Sequence, residues 1–161
     1  ELWAFDYLPP AQSQTIEVGE IGEYGDGEDV CIISYGNGYY LSRQAEKQLK
    51  EQGINSKIVD LRWLAPLNEE AIFKAVKGYD KVLVVDECRH TASISEAIVT
   101  SITEHKQNLG QPLPQLCRIT AEDSFIPLGT AAYHVLPSCQ EIVDTVKSMM
   151  TQNIVKTPLK R

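Results

Sequence analysis

Residues 81–98 read KVLVVDECRHTASISEAI, and this stretch decides the fold. Its first six residues, KVLVVD, form a short apolar run of strand type, too short for a helix and flanked by polar residues. The period then changes. Ser93 and Glu96 have the spacing of a capping box, which satisfies free backbone N–H groups at a helix start. Ile94, Ile98 and Ile102 follow at helical intervals. A buried strand therefore runs into an amphipathic helix.

The same alternation extends in both directions. Upstream, VCIIS (30–34) reads as a buried strand, and Leu41, Ala45 and Leu49 mark one helix face ended by Gly53. KIVDL (57–61) is the next strand, and Asn68 caps a helix with Ile72, Ala75 and Val76 inward, ended by Gly78. Downstream, LCRI (116–119) is a fourth strand, and Ser138 with Glu141 opens a helix carrying Ile142, Val146 and Met149. Short apolar strands alternating with amphipathic helices require a parallel sheet covered on both faces. Right-handed crossovers restrict its topology, and the fold class is α/β, a three-layer α/β/α sandwich.

A chain of 161 residues is long enough for one sizeable core and short for two. Apolar residues at 43% and charged residues at 23% are ordinary globular composition. The net charge of −7 argues against a nucleic-acid groove or an anionic membrane surface. No run approaches the roughly 18 apolar residues of a membrane helix. The start, ELWAFDYLPP, has no basic region followed by an apolar core, so no signal peptide is read, and without an initiator Met the chain is expected to be cut from something longer. Cys31, Cys88, Cys117 and Cys139 show no C-x-x-C spacing and read as reduced thiols of a cytoplasmic protein.

Residues 1–19 read as a linker arm, with a Pro pair in YLPPAQSQ and with Leu2, Trp3, Phe5 and Tyr7 apolar enough to pack on another domain. The folded domain is expected over 20–151, and residues 152–161 as a flexible basic tail.

Two glycine motifs invite a cofactor reading. In EYGDGEDV (23–30) the Gly-Asp-Gly precedes a strand, whereas a diphosphate site follows one, and Glu28 and Asp29 would repel phosphate. Asp-Gly between two extended stretches reads as a hairpin turn instead. SYGNGYY (34–40) does follow a strand and open a helix, but Leu41 stands where a third glycine would be needed. Tyr35, Gly36, Asn37 and Gly38 therefore read first as a tight strand-to-helix turn.

Ligands of open α/β sheets gather where the strand order reverses. The switch is expected between the VCIIS and KVLVVD strands, bringing Tyr35–Gly38 beside DECRHT (86–91). Asp86, Glu87, Arg89, His90 and Thr91 then converge with Asn37. Three readings stand: His90 as a base oriented by Asp86 or Glu87, a carboxylate–histidine metal site opposed by Arg89, or an ion-pair network that fixes the loop. Asp60, Arg62 and Trp63 belong to the strand end DLRWLAPL (60–67), whose Trp63, Leu64 and Pro66 suit core packing or an intersubunit contact.

Four segments, DVCIISYGNGYYLS, VDLRWLAPLNEEAI, KVLVVDECRHTASISEAI and ITAEDSFIPLGTAAYHVLPSCQEIVDTV, occur in this order. Together they resemble the C-terminal domain of the beta part of thiamine diphosphate-dependent 2-oxo acid dehydrogenases, kin to the transketolase C-terminal domain. GEIGEYGDGEDV (19–30) is most similar to the form with alpha and beta parts fused. The resemblance implies a mixed, mostly parallel five-stranded sheet with an antiparallel edge strand near residues 20–24. It implies a domain for subunit packing, without catalytic residues, thiamine diphosphate, magnesium or other metal of its own. Partners would be the rest of the parent enzyme, a second copy in a homodimer and, in complex-forming members, the acyltransferase core. One departure is Thr91-Ala92-Ser93, where the family usually reads Thr-Gly-Gly. The rival readings are a transketolase or deoxyxylulose phosphate synthase C-terminal domain and a stand-alone nucleotide or small-ligand module.

Overall fold

The strand Val30–Ser34 is buried at every position, which only a sheet with helices on both faces allows. The computed structural model describes residues 15–151 of the chain. The expectations for residues 1–14 and 152–161 lie outside the described residues. The strands are β1 (Gly22–Tyr24), β2 (Val30–Ser34), β3 (Ser56–Asp60), β4 (Lys81–Arg89) and β5 (Gln115–Ala121). The helices are α1 (Gly36–Glu51), α2 (Glu69–Ala75), α3 (Ile94–Asn108) and α4 (Cys139–Thr151).

The sheet order is β1-β3-β2-β4-β5, with β1 antiparallel to β3 and the other neighbours parallel. This is the three-layer α/β/α sandwich with one antiparallel edge strand. From β2 the chain steps outward through α1 to β3, then returns across β2 through α2 to β4. The order in which strands are added across the sheet therefore reverses between the parallel neighbours β2 and β4, where the sequence placed the switch point. α1 packs with α4 and α2 with α3, one pair on each face. Under α1 and α4 lie Val30, Ile32, Leu49, Ile58, Ile142 and Met149; under α2 and α3 lie Ile33, Val59, Ile72, Val84, Ile98 and Ile102. Each fully buried aliphatic side chain contributes on the order of 1.5–3 kcal/mol of transfer free energy.

The local signals fare unevenly. Asn68 caps α2 as expected, its Oδ1 accepting from the Ala71 N–H at 3.0 Å, while its Nδ2 donates to the Gly19 carbonyl at 2.9 Å. Ser138 caps α4 by accepting from the Glu141 N–H at 3.1 Å. The box at Ser93 does not form. Ser93 makes no side-chain cap bond, its hydroxyl pairs with the Ser95 hydroxyl at 2.6 Å, and Glu96 accepts from the Ala92 N–H at 3.2 Å. The Glu96 N–H that a box would give to the Ser93 hydroxyl goes to the Ser93 carbonyl at 3.1 Å, and the Ser95 N–H goes to Asp86 of β4, at 3.0 Å. A fully buried carboxylate from the adjacent strand thus caps the helix start.

The hairpin expected at Gly25-Asp26-Gly27 is absent, because β1 pairs with β3 and not with β2. The loop instead climbs over the start of β3 to reach β2. Gly27 makes that passage: a Cβ there would stand 2.2 Å from the Asn55 carbonyl carbon and 2.3 Å from the Ser56 nitrogen. The Asp29 N–H donates to the Asn55 carbonyl at 3.1 Å, the Asn55 N–H to Asp29 Oδ2 at 2.7 Å, and the Tyr79 hydroxyl to the Gly27 carbonyl at 2.6 Å. β4 also continues to Arg89, beyond the expected end at Asp86, with a register irregularity between Val85 and Arg89.

Candidate functional site

The carboxyl ends of β2 and β4 do bring Tyr35 to Asp86. Tyr35 precedes α1 with extended backbone, and its hydroxyl donates to Asp86 Oδ1 at 2.5 Å while lying 3.4 Å from Cys88 Sγ. Asp86 Oδ1 also accepts from the Cys88 N–H at 2.8 Å, and Oδ2 from the Ser95 N–H. Burial by itself would raise the Asp86 carboxyl, but the hydrogen bonds from Tyr35, Cys88 and Ser95 outweigh it and hold the group below the usual carboxylate range. Burial first, then the Asp86 and Cys88 contacts, push the Tyr35 phenol up. The proton therefore stays on tyrosine, and Asp86 is the acceptor that joins β2, β4 and α3.

Gly38 is buried one turn into α1, and a Cβ there would stand 2.4 Å from Ser34 Oγ and 3.3 Å from the Val85 carbonyl oxygen. It is the contact glycine that seats the helix on the sheet. Gly36 is exposed with φ of +54°. Asn37 is half-buried, and no hydrogen bond joins it to the 86–91 segment among the described residues.

His90 is held from β5. Its Nδ1 lies 3.1 Å from Thr120 Oγ1, and its Nε2 lies 3.2 Å from an Arg118 guanidinium nitrogen. A guanidinium only donates, so Nε2 accepts and Nδ1 carries the proton toward Thr120. Arg118 also donates to the His90 carbonyl at 3.3 Å and to Ser95 Oγ at 3.1 Å, and pairs with Glu96 at 3.8 Å. Thr91 gives Asp123 two bonds, from its N–H at 2.8 Å and its hydroxyl at 2.6 Å, and these hold the Asp123 carboxyl below its usual range. Arg89 points Nε at the Thr91 carbonyl, 3.1 Å away, and Glu87 is half-buried. The geometry orients His90 through Thr120 and Arg118, not through Asp86.

Asp60 and Arg62 form a separate cluster with Glu20 and Tyr24 at the β1 edge of the sheet. Arg62 has φ of +56°; it donates to Glu20 Oε1 at 2.7 Å and the Tyr24 hydroxyl at 3.2 Å, and its N–H reaches Asp60 Oδ1 at 3.2 Å. Burial raises the Asp60 carboxyl against the opposing pull of Arg62. Tyr24 and Tyr39 pack with rings tilted at 46° and centroids 5.2 Å apart, Arg43 lies 5.1 Å over Tyr24, and burial with the Tyr24 contact pushes the Tyr39 phenol up to about 12. Trp63 is half-buried, Leu64 packs on the core under α2 and α3, and Pro66 is exposed.

Ser95, Arg118, Thr120 and Asp123 escaped the sequence reading. Arg118 carried a signal: a charged residue inside an otherwise apolar strand of a covered sheet needs a partner. A further feature at this end of the sheet is the loop after β5, where Phe125, Leu128 and Tyr133 are 99%, 96% and 70% exposed.

The architecture defines a three-layer α/β domain whose switch-point polar groups are tied largely to one another. Comparison with known proteins places it further. Residues 19–142 match the family described as transketolase, C-terminal domain, and the chain belongs to that family. Pyruvate dehydrogenase E1 component subunit beta of Bacillus subtilis is 30% identical over 88% of this chain and 43% of its own length. The subunit of the same description from Mycoplasma genitalium is 28% identical over 91% and 44%. The domain is thus of the type carried by these beta subunits, and it spans less than half their length. Among solved structures, a split gene transketolase, an inactive beta4 tetramer, superposes with a TM-score of 0.71 at 20% identity, over 88% of this chain and 44% of its own. A 2-oxoglutarate:ferredoxin oxidoreductase from Magnetococcus marinus gives 0.55 at 20% identity, over 80% and 19%. Both show the shared fold.

Proposed function

We propose that this chain is the C-terminal assembly domain of a thiamine diphosphate-dependent 2-oxo acid dehydrogenase, which decarboxylates pyruvate or a branched-chain 2-oxo acid and passes the acyl group to a lipoyl carrier. The observation that carries this reading is the match to E1 beta subunits across 88% of the chain within 43% of theirs. The domain supplies packing surface for the rest of the parent enzyme and for a second copy, and docks the acyltransferase core where one is present. The bare apolar loop Phe125–Leu128 supports that role. GEIGEYGDGEDV supports a parent with fused alpha and beta parts.

Thiamine diphosphate and magnesium belong, in this reading, to the remainder of the parent. The Gly25-Asp26-Gly27 loop does not fit them. Gly27 has its face against the Asn55–Ser56 backbone, and the cleft beside the loop carries the Asp26 and Glu46 carboxylates, which would repel a diphosphate.

The test is turnover. With thiamine diphosphate, magnesium and an artificial electron acceptor, the 161-residue chain should release no carbon dioxide from pyruvate or 3-methyl-2-oxobutanoate. Turnover above blank overturns the reading. Peptide mapping of the source cell should place VDLRWLAPL (59–67) in a polypeptide longer than this chain.

A further inference from the structure

The loop after β5 holds four bulky apolar side chains in water. Phe125 and Leu128 are almost wholly exposed, Tyr133 is largely so, and Ile126 is more than half exposed. Each of the two aromatic side chains carries on the order of 150–250 Å². An apolar patch beyond a few hundred Å² marks a contact surface. The patch sits on a closed frame. The Glu122 N–H donates to the Val135 carbonyl at 3.0 Å, which ties the two ends of the loop together, and Thr91 holds Asp123.

The sheet says which segment of the chain can reach it. β1 is antiparallel, with Gly22 opposite Asp60, the last residue of β3. The chain therefore enters β1 at the carboxyl end of the parallel strands, the same end at which β5 gives way to the loop. Asn68 on the Gly19 carbonyl and Arg62 on Glu20 fix the entry there. In the order β1-β3-β2-β4-β5, four strand spacings of about 4.8 Å separate the entry from β5, roughly 19 Å in all. Residues 1–14 precede the described part of the chain, and their composition divides them. Leu2, Trp3, Phe5, Tyr7 and Leu8 are bulky and apolar, whereas residues 9–14, PPAQSQ, are prolines and small or polar residues. Those six residues extend over about 20 Å, the span the sheet sets. The spacer thus delivers the apolar half of the arm to the loop. The tail, residues 152–161, offers no aromatic residue and carries Lys156, Lys160 and Arg161.

We propose that residues 2–8 cross the carboxyl end of the sheet and seat on Phe125, Ile126, Leu128 and Tyr133 of the same chain. The seat stands apart from the assembly role, because a partner then meets loop and arm as one surface.

Trp3 and Trp63 are the two tryptophans, so a Trp63→Phe background leaves Trp3 as the reporter. Acrylamide should quench Trp3 weakly in that protein, and about threefold more strongly once Phe125→Ser and Leu128→Ser are added, because the indole loses its burial. Both replaced side chains are exposed, so the fold is expected to survive, which circular dichroism checks. Trp3 open to quencher from the outset, or protected to the same degree in both proteins, overturns the proposal. A second readout leaves every tryptophan of the parent chain in place. Deleting residues 1–14 should uncover the loop and raise the emission of 8-anilinonaphthalene-1-sulfonate, and unchanged emission overturns the proposal. Protection of Trp3 that fades on dilution, together with a dimer in sedimentation equilibrium, overturns the seat within one chain in favour of a second copy.

Discussion

Asp86→Asn is the perturbation that most directly probes the architecture of the switch point. Asp86 is fully buried and accepts three hydrogen bonds, from Tyr35, Cys88 and Ser95. Asparagine has nearly the same shape but one acceptor oxygen. Kept toward Tyr35 and Cys88, that oxygen leaves the amide NH2 facing the Ser95 N–H, donor against donor. The buried Ser95 N–H then lacks a partner at a cost of about 1–3 kcal/mol. Turning two charge-assisted bonds into neutral ones removes about 1 kcal/mol more. Losing a negative charge at the N-terminus of α3 removes roughly 0.5 kcal/mol. Relief of the buried charge returns on the order of 1 kcal/mol. The net expectation is a loss of about 1.5–3.5 kcal/mol. Urea unfolding at pH 7, followed by far-ultraviolet circular dichroism, measures it by linear extrapolation. A loss below about 0.5 kcal/mol would refute the claim that Asp86 joins the two strands to α3. The pH dependence supplies a second check. The folded Asp86 is lowered, so its contribution is present above the unfolded value of about 3.9 and disappears as pH falls through the folded value. The gap between the parent and Asp86→Asn proteins should therefore shrink below about pH 4.

Two further outcomes are expected. Ala92 sits at φ of +59°, a region that costs a non-glycine residue about 1–2 kcal/mol, against roughly 0.5–1 kcal/mol of extra unfolded-state entropy for glycine. Ala92→Gly should thus stabilise the chain by about 0.5–1 kcal/mol in thermal or urea unfolding, and a destabilised variant would contradict the strain argument. Native-state labelling with a thiol reagent at pH 8 should modify exposed Cys88 first. Cys31 should wait for unfolding, because burial pushes its thiol up to about 12; mass spectrometry of early label identifies which cysteine reacts.

The order of strands and helices was legible because it depends on a local quantity, the period at which apolar residues recur. VCIIS is β2 to the residue, and Ile72, Ala75, Val76, Ile98, Ile102, Ile142, Val146 and Met149 all proved buried where spacing put them. Asn68 and Ser138 capped their helices because no stronger acceptor competed nearby. Ser93 did not cap because the Glu96 N–H turned to the Ser93 carbonyl, while a carboxylate seven residues earlier, in β4, took the Ser95 N–H. The Asp-Gly turn signal was real as a loop and wrong as a hairpin. A turn reports that the chain bends, not which strand lies beside it.

The place of the switch point could be read along the chain, since right-handed crossovers leave few strand orders, and it set the end of β2 beside the end of β4. Which side chains join there depended on the assembled fold: Tyr35 meets Asp86, while the residues after Cys88 turn to β5. Arg118, Thr120 and Asp123 come from β5 and the loop beyond it, and they engage His90 and Thr91 through hydrogen bonds separated by about thirty residues of chain. Apolar burial is additive and tolerant, so its pattern can be read along one dimension. Hydrogen bonds are directional and limited to about 3 Å, so their partners are chosen only when strands and helices have been brought into place.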